Sequence, residues 1–175
     1  HHEVPKEHGG EVIPPAKAVV DPKQEKCTYE FKQLCGAGIA YKIVAELLKR
    51  KGKEERIREF LSFAAIATVC DVVPLQDENR IIVKNGLEEL NRCTNTGLKA
   101  LIDQQQFNRK INAGDLGFRI GPCINAAGRL EDAKTGLELF LEQDKVVAEK
   151  KAEELVMLNE ERKEYTANAT QKAID

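Results

Sequence analysis

The stretch IREFLSFAAIATVC, residues 57–70, decides the fold class of this sequence. Its apolar and small residues recur at intervals of three, four, seven and eleven positions, which is typical of a helix with one buried face. These residues are Ile57, Phe60, Leu61, Ala64 and Thr68. Residues 39–48 carry a similar apolar stripe, and the charged run KRKGKEER between the two stripes predicts a solvated turn. The centre of the chain is therefore predicted to be helical.

Helical patterns continue to the end of the chain. They predict helices at about 78–92, 97–104, 113–120 and 132–142, the last with Asp132 as its N-cap, and one long helix over 144–174. A strand is predicted only at AKAVV, 16–20, where prolines bound a β-branched run. The sequence thus predicts an α/β fold that is rich in helix and has a minor strand component.

The long final helix has an apolar face only in its first half, because that face stops at Leu158. A helix of this length extends about 45 Å, so its outer half is predicted to leave the domain surface. We therefore expect a domain over residues 1–143 and a connector helix over 144–175 that leads towards a second domain.

Composition describes a globular chain, with 42% hydrophobic and 32% charged residues among 175. No apolar run approaches the ~20 residues that cross a bilayer, and no secretory signal is present, so a cytoplasmic location is expected. The five cysteines form no CxxC pair, which argues against a zinc cage or a disulfide framework. A net charge of -2 is not typical of a domain that binds nucleic acid by itself.

Asp71 stands in AIATVCDVVPL, at the end of a helical stripe that Pro74 must terminate. The apolar flanks predict burial, and a helix C-terminus disfavours a negative charge. This carboxylate therefore needs a cation. Two interpretations follow: an ion pair with Arg80 or a hydrogen bond at the helix end, or a bond to a metal ion.

Two further stretches are rich in small residues. CGAGIAYK, 35–42, predicts a helix start whose glycines allow close packing on a strand, and the free N–H groups of such a start can also hold a phosphate. The stretch lacks the lysine and hydroxyl of a nucleotide-binding P-loop. GPCINAAGRL, 121–130, contains one asparagine and one arginine among small and apolar residues. By itself it predicts a turn between helices with Arg129 in water.

Taken in order, several motifs resemble RecJ-type single-strand-specific exonucleases of the DHH phosphoesterase superfamily. They are HH at residues 1–2, then PPAKAVVDPKQ, LCGAGIAYK, ATVCDVVPLQDENR and GFRIGPCINAAGRL. The resemblance extends from His1 to about Arg162, although a bare HH pair could also be the remnant of a purification tag. It implies that residues 1–143 form the C-terminal part of a DHH phosphoesterase domain.

The resemblance also implies a site with two divalent metal ions, Mn²⁺ or Mg²⁺. His1 and Asp71 would be metal ligands, His2 would be a catalytic residue facing the scissile phosphate, and Asn125 and Arg129 would reach the phosphates of the substrate. Two metal ions can activate a water molecule and stabilise the leaving oxygen of a phosphodiester. The small residues 126–128 would let a nucleic-acid strand come close to the helix backbone, while Arg129 binds a phosphate.

The sequence departs from the family pattern in three respects. The aspartate before the two histidines, the earlier aspartate motifs and a domain after the long helix are missing. The chain is therefore expected to be an internal portion of a longer enzyme and to be inactive alone.

The function implied is removal of nucleotides from single-stranded DNA, 5′ to 3′, in recombination and repair. Single-stranded DNA is the expected partner, with a single-strand-binding protein or a helicase as further partners; a monomer and no membrane association are expected. Two alternatives stay open. One is a superfamily relative that acts on short oligonucleotides, cyclic dinucleotides or pyrophosphate, and the other is a helical interaction module without activity.

Overall fold

The computed structural model describes residues 3–130 and 132–174. Packing divides the chain into two compact units, His1–Asn91 and Arg92–Asp175, and each is described by itself. This division falls inside the region 1–143 that the sequence analysis treats as one domain. The predicted boundary at residue 143 concerns a longer protein and stays a prediction.

The first unit contains a short antiparallel hairpin, β1 (Lys6–Glu7) and β2 (Gly10–Glu11). Its turn residues His8 and Gly9 have φ values of 50° and 82°, which suit a two-residue hairpin turn. The strand predicted at 16–20 is wrong, because those residues form no regular secondary structure. A strand needs a neighbour for its backbone hydrogen bonds, and the sheet found among the described residues has only β1 and β2.

Helices make up most of the remaining first unit. They are α1 (Gly36–Arg50), a 3₁₀ helix (Glu54–Phe60), α2 (Leu61–Cys70) and α3 (Asp77–Leu90), which confirms the helices predicted in this region. The helix α2 packs against both α1 and α3. A Cβ atom on Gly86 of α3 would lie 2.8 Å from the carbonyl oxygen of Leu61, so glycine is needed for α3 to approach α2 this closely.

Cys35 is the N-cap of α1. Its Sγ accepts a hydrogen bond from the backbone N–H of Gly38 at 3.3 Å and lies 3.5 Å from Oγ1 of Thr68 on α2. The start of α1, which the sequence predicted to pack on a strand, therefore packs against α2 through a buried thiol.

The second unit is helical throughout its described secondary structure. Its elements are α4 (Thr96–Gln104), α5 (Ala113–Asp115), a wide π-helical turn (Leu116–Ile120), α6 (Gly121–Leu130), α7 (Lys134–Leu141) and α8 (Lys145–Ile174). Residues 121–130 thus form a helix and not the turn that the sequence predicted. Asp132 precedes the assigned N-cap of α7 by one residue, yet its Oδ1 still accepts the N–H of Lys134 at 2.9 Å.

The long helix α8 packs against α4, α6 and α7 through its first half. Its buried residues are Ala148, Ala152, Leu155, Leu158 and Asn159. From residue 160 to residue 174 every side chain is exposed except Arg162, which is half-buried and donates to Oδ1 of Asn159. The predicted length of this helix and its bare outer half are confirmed.

All five cysteines are free. Cys35 and Cys123 are buried, whereas the other three are half-buried. Within the part of the chain that the structure describes, no helix combines the length and the apolar character needed to span a membrane.

Candidate functional site

Three of the five predicted site residues belong to the described part of the chain. Asp71 lies in the first unit, and Asn125 and Arg129 lie in the second. His1 and His2 lie outside the described residues, so their roles as metal ligand and catalytic residue stay predictions.

Asp71 is the C-cap of α2 and is exposed, so the predicted burial of this carboxylate is wrong. The chain changes direction directly after it, because Val72 has a φ of 55°, a left-handed value that β-branched residues rarely adopt. Val72 is itself 87% exposed. Burial, followed by the negative charge of Asp71, raises the pKa of the neighbouring Cys70 thiol. Asp71 thus lies at a turn on the surface, although the residues on both sides of it in the sequence are apolar.

Asn79 holds the loop that follows Asp71. It is fully buried, and its Nδ2 donates to the carbonyl oxygen of Pro74 at 2.9 Å and to that of Gln33 at 2.7 Å. Its Oδ1 has no hydrogen-bond partner among the described residues. Because Pro74 is only three residues beyond Asp71, we assign Asn79 to positioning this loop. The sequence contained Asn79 in ATVCDVVPLQDENR but gave no reason to separate it from its neighbours.

Asn125 and Arg129 are exposed and four residues apart on α6, so their side chains lie on the same face of the helix. Ala126 and Ala127 are fully buried. The prediction that these two alanines let nucleic acid approach is therefore wrong, since their small size serves the packing of α6 inside the unit. Gly128 is exposed, and it alone of the three stays available for that role.

A π-helical turn precedes α6, with the N–H of Gly121 bonded to the carbonyl oxygen of Leu116. Pro122 explains why a wide turn forms here. Proline has no N–H for the carbonyl of Phe118 four residues earlier, and its ring would crowd that carbonyl in a regular α-helix. Wide turns of this kind are frequent at functional sites. The turn leaves Phe118 84% exposed, and sequence reasoning did not identify this residue.

The region around α6 is locally basic, although the chain as a whole is slightly acidic. Residues 104–130 contain the bases Arg109, Lys110, Arg119 and Arg129 but only one acid, Asp115. The guanidinium of Arg119 lies over the ring of Phe107, 4.2 Å from its centroid, and donates to the carbonyl oxygen of Gln105. The net charge of the whole chain argued against nucleic acid as a partner, but residues 104–130 carry an excess of positive charge.

Asp115 is buried and fully paired. Arg109 donates two hydrogen bonds to it, at 2.6 and 3.0 Å, and the backbone N–H of Asn112 donates a third at 2.9 Å. Asn112 completes a capping box by accepting the N–H of Asp115 at 3.2 Å. The hydrogen bond from Arg109 is the main cause that lowers the pKa of Asp115 below its usual value. These bonds fix the start of the helical run that leads into α6.

Asp115 is expected to stabilise the second unit in a pH-dependent way. Because its pKa is lower in the folded state, its contribution is present above the unfolded value of about 3.9 and is lost as the pH falls through the folded value. At pH 7, Asp115→Asn should reduce the free energy of unfolding by about 1.5–3 kcal/mol. Urea unfolding followed by circular dichroism at pH 7 and at pH 3 measures this difference.

The matched control is Asp103→Asn, which removes an exposed acid that pairs with Lys99 across one helical turn. Such a pair contributes at most about 0.5 kcal/mol, so this variant should resemble the unmodified chain at both pH values. An Asp115→Asn penalty of equal size at pH 7 and pH 3 would contradict the electrostatic explanation.

The first unit contains an ionic cluster that the sequence did not predict. Tyr29 donates to Glu78 at 2.5 Å, and Lys42 donates to both of them. Burial favours a higher pKa for Glu78, but the hydrogen bonds from Lys42 and Tyr29 and the charge of Lys42 lower it below the usual value. These residues join three distant parts of the sequence, so no local pattern could have indicated the cluster.

Among residues 3–130 and 132–174, no three histidine, cysteine, aspartate or glutamate side chains are grouped so that they could hold a metal ion. Asp71 offers the hard oxygen that Mg²⁺ and Mn²⁺ prefer and therefore fits a single ligand position. The described residues do not form a metal centre by themselves.

Comparison with known proteins identifies close relatives. The chain is 40% identical over 183 residues to the single-stranded-DNA-specific exonuclease RecJ of Bacillus subtilis, covering 100% of this chain and 21% of that protein. It is 37% identical over 168 residues to the Escherichia coli protein of the same name, covering 89% of this chain and 29% of that protein. The chain thus spans less than a third of the length of either relative. No family model matches the sequence.

A solved structure has the same fold. The crystal structure of RecJ in complex with Mn²⁺ from Thermus thermophilus matches with a TM-score of 0.81 and 31% identity, over 93% of this chain and 24% of that one. These proteins belong to one class, exonucleases specific for single-stranded DNA. In sequence and fold this chain is of the RecJ type, as the motifs in its sequence predicted.

Proposed function

We propose that this chain contributes to a metal-dependent exonuclease that removes nucleotides from single-stranded DNA, and that α6 binds the phosphates of the substrate. The observation that carries the proposal is the shared exposed face of Asn125 and Arg129. The locally basic residues 104–130 supply the positive charge that a phosphate backbone requires. The names of the relatives support single-stranded DNA as the substrate.

The side chains of Arg129 and Asn125 would both donate hydrogen bonds to the phosphates. The guanidinium of Arg129 can donate two parallel hydrogen bonds to one phosphate, and the amide of Asn125 can donate to a neighbouring oxygen. Contacts of this kind position a strand without reading its sequence. They therefore suit an enzyme that removes one nucleotide after another.

Two divalent ions, Mn²⁺ or Mg²⁺, would supply an activated water molecule and stabilise the leaving oxygen when bound. Asp71 and His1 are the ligands that we propose from this chain, with His2 facing the scissile phosphate. Since the described residues contain no complete ligand group, further ligands would have to come from elsewhere in a longer protein.

Arg129→Ala tests the phosphate contact. A labelled single-stranded oligonucleotide is titrated with the chain at several salt concentrations, and binding is followed by fluorescence anisotropy. Loss of one phosphate contact should weaken binding and reduce the slope of log affinity against log salt by about 0.7. Arg129→Lys should keep the slope but bind more weakly than arginine, because an ammonium cannot donate in a bidentate fashion.

Lys163→Ala is the matched control, because Lys163 is an exposed base of the same unit that lies outside the basic region and pairs with Glu160. It should leave the slope unchanged. An Arg129→Ala slope equal to that of the unmodified chain would remove Arg129 from the phosphate site.

The alternative of a phosphodiesterase acting on short substrates differs in one measurable quantity. A chimera in which this chain replaces the aligned segment of the B. subtilis relative should degrade long single strands faster than dinucleotides. The reverse order would favour the alternative. The direction of degradation, a role in repair and recombination, protein partners, a monomeric state and a cytoplasmic location stay predictions.

A further inference from the structure

The side chain of Phe118 is 84% exposed, which is unusual for a phenylalanine in a helical run that fully buries Leu116 and Ile120. It precedes Asn125 by seven residues and Arg129 by eleven. Residues separated by seven or eleven positions share one face of a helix, and the exposure of Phe118, Asn125 and Arg129 shows that they keep this relation across the wide turn. The opposite face is buried and holds Leu116, Ile120, Cys123, Ala126 and Ala127.

The segment that carries these residues has positive charge and no negative charge. Residues 116–130 include Arg119 and Arg129 but no acid. Arg119 is held over the ring of Phe107 by a cation–π contact and by its hydrogen bond to the carbonyl oxygen of Gln105. An exposed aromatic ring in a segment that carries cations and no acids matches a ligand that alternates flat bases with phosphates, which is the chemistry of a single-stranded nucleic acid.

We propose that the ring of Phe118 stacks on a base of a single strand whose phosphates lie on Asn125 and Arg129. At 1.5 Å per residue, Phe118 lies about 10 Å along the helix axis from Asn125 and about 16 Å from Arg129. The stacked base would therefore belong to a different nucleotide from the phosphate on Arg129. This inference rests on the proposed function of α6 and adds a base-binding subsite to it.

Stacking on phenylalanine is tolerant of sequence, because every base has a flat face. A subsite of this kind holds the strand at a fixed distance from the phosphate contacts whichever nucleotide arrives. It also favours single strands over duplexes, since the faces of paired bases are covered by their neighbours.

The chain contains no tryptophan, so Phe118→Trp introduces a single fluorescent reporter at the proposed subsite. Addition of an oligothymidylate is expected to quench the fluorescence of this tryptophan in a saturable way. The concentration for half-maximal quenching should equal the concentration for half-maximal binding in the anisotropy titration. An oligonucleotide of equal length with abasic sites has the same phosphates but no bases, and it should bind with little quenching. Tyr165→Trp is the matched control, at a 60% exposed position on the outer half of α8, and should not respond to either strand.

Phe118→Ala separates base stacking from phosphate binding. It should weaken binding of the normal strand at least about fivefold and leave binding of the abasic strand unchanged. Arg129→Ala should weaken binding of both strands.

The outcomes distinguish this inference from the proposed function. Binding that depends on Arg129 but not on Phe118 overturns the stacking subsite and leaves phosphate binding in place. Absence of binding by the unmodified chain overturns both. A tryptophan at position 118 that iodide cannot quench in the DNA-free chain would mean that another segment or a second copy covers this ring, which also overturns the subsite.

Discussion

Gly97→Ala is expected to destabilise the second unit by about 3 kcal/mol or more. Gly97 lies in the first turn of α4, and a Cβ atom there would overlap the carbonyl oxygen of Leu139 and lie 2.5 Å from its carbonyl carbon. Asn95 holds this contact in place, because its Nδ2 donates to the carbonyl oxygen of Phe140 at 2.9 Å while its Oδ1 caps α4. Backbone atoms cannot rotate away, so the two helices would have to separate.

Urea unfolding followed by circular dichroism measures this effect. Gly128→Ala is the control, because a Cβ atom on Gly128 would meet Cβ of Ala133 at 3.5 Å, an ordinary contact. Alanine favours helix over glycine by up to about 1 kcal/mol, so Gly128→Ala should keep or raise stability. A Gly97→Ala chain as stable as the unmodified one would contradict the close approach of α4 and α7.

Asp71→Ala is expected to lower hydrolysis of single-stranded DNA by about 100- to 1,000-fold in the chimera with the B. subtilis relative. Metal ions contribute several kcal/mol to the stabilisation of the transition state, and each 1.36 kcal/mol corresponds to a factor of ten in rate. The exposed carboxylate at the end of α2 can be removed without opening a cavity, so the unfolding midpoint should change little. The release of nucleotides with Mn²⁺ and with Mg²⁺ measures the rate.

Glu88→Ala provides the matched comparison, since Glu88 is an exposed acid on α3 of the same unit. It should retain the rate of the unmodified chimera. If Asp71→Ala retains that rate as well, Asp71 is not a metal ligand. A loss of stability without a loss of rate would favour the alternative of an ion pair or a hydrogen bond at the end of α2.

Much of this fold could be predicted from the sequence, because its helices are long and strongly periodic. Apolar side chains must be buried away from water. Their spacing in 57–70 therefore predicted a helix, and their end at Leu158 predicted where the buried face of α8 stops. Periodicity did not predict the hairpin of β1 and β2, which depends on two left-handed turn residues. It also predicted a strand at 16–20 from β-branched residues alone, with no information on a neighbouring strand.

Only part of the candidate site could be predicted, because the sequence does not show in which direction a side chain points. Asp71 and the alanines of α6 are examples. Apolar neighbours predicted burial of Asp71, but the direction in which a side chain points depends on the turn at Val72. Ala126 and Ala127 belong to a motif associated with binding and nevertheless face the interior. Sequence reasoning did not identify Phe118, because the sequence alone could not locate the wide turn beside it.

The wide turn before α6 sets the rotational phase of everything that follows. A π-helical turn holds one residue more than an α-helical turn, so deleting one residue there would restore a regular helix. Each residue of an α-helix corresponds to a rotation of about 100°, so the same residues wound as a regular helix would turn Arg129 towards the interior and an alanine towards water, whereas the deletion would leave α6 in its present orientation. One extra residue in this turn, just ahead of a proline, thus determines which residues of this helix face the interior and which face water.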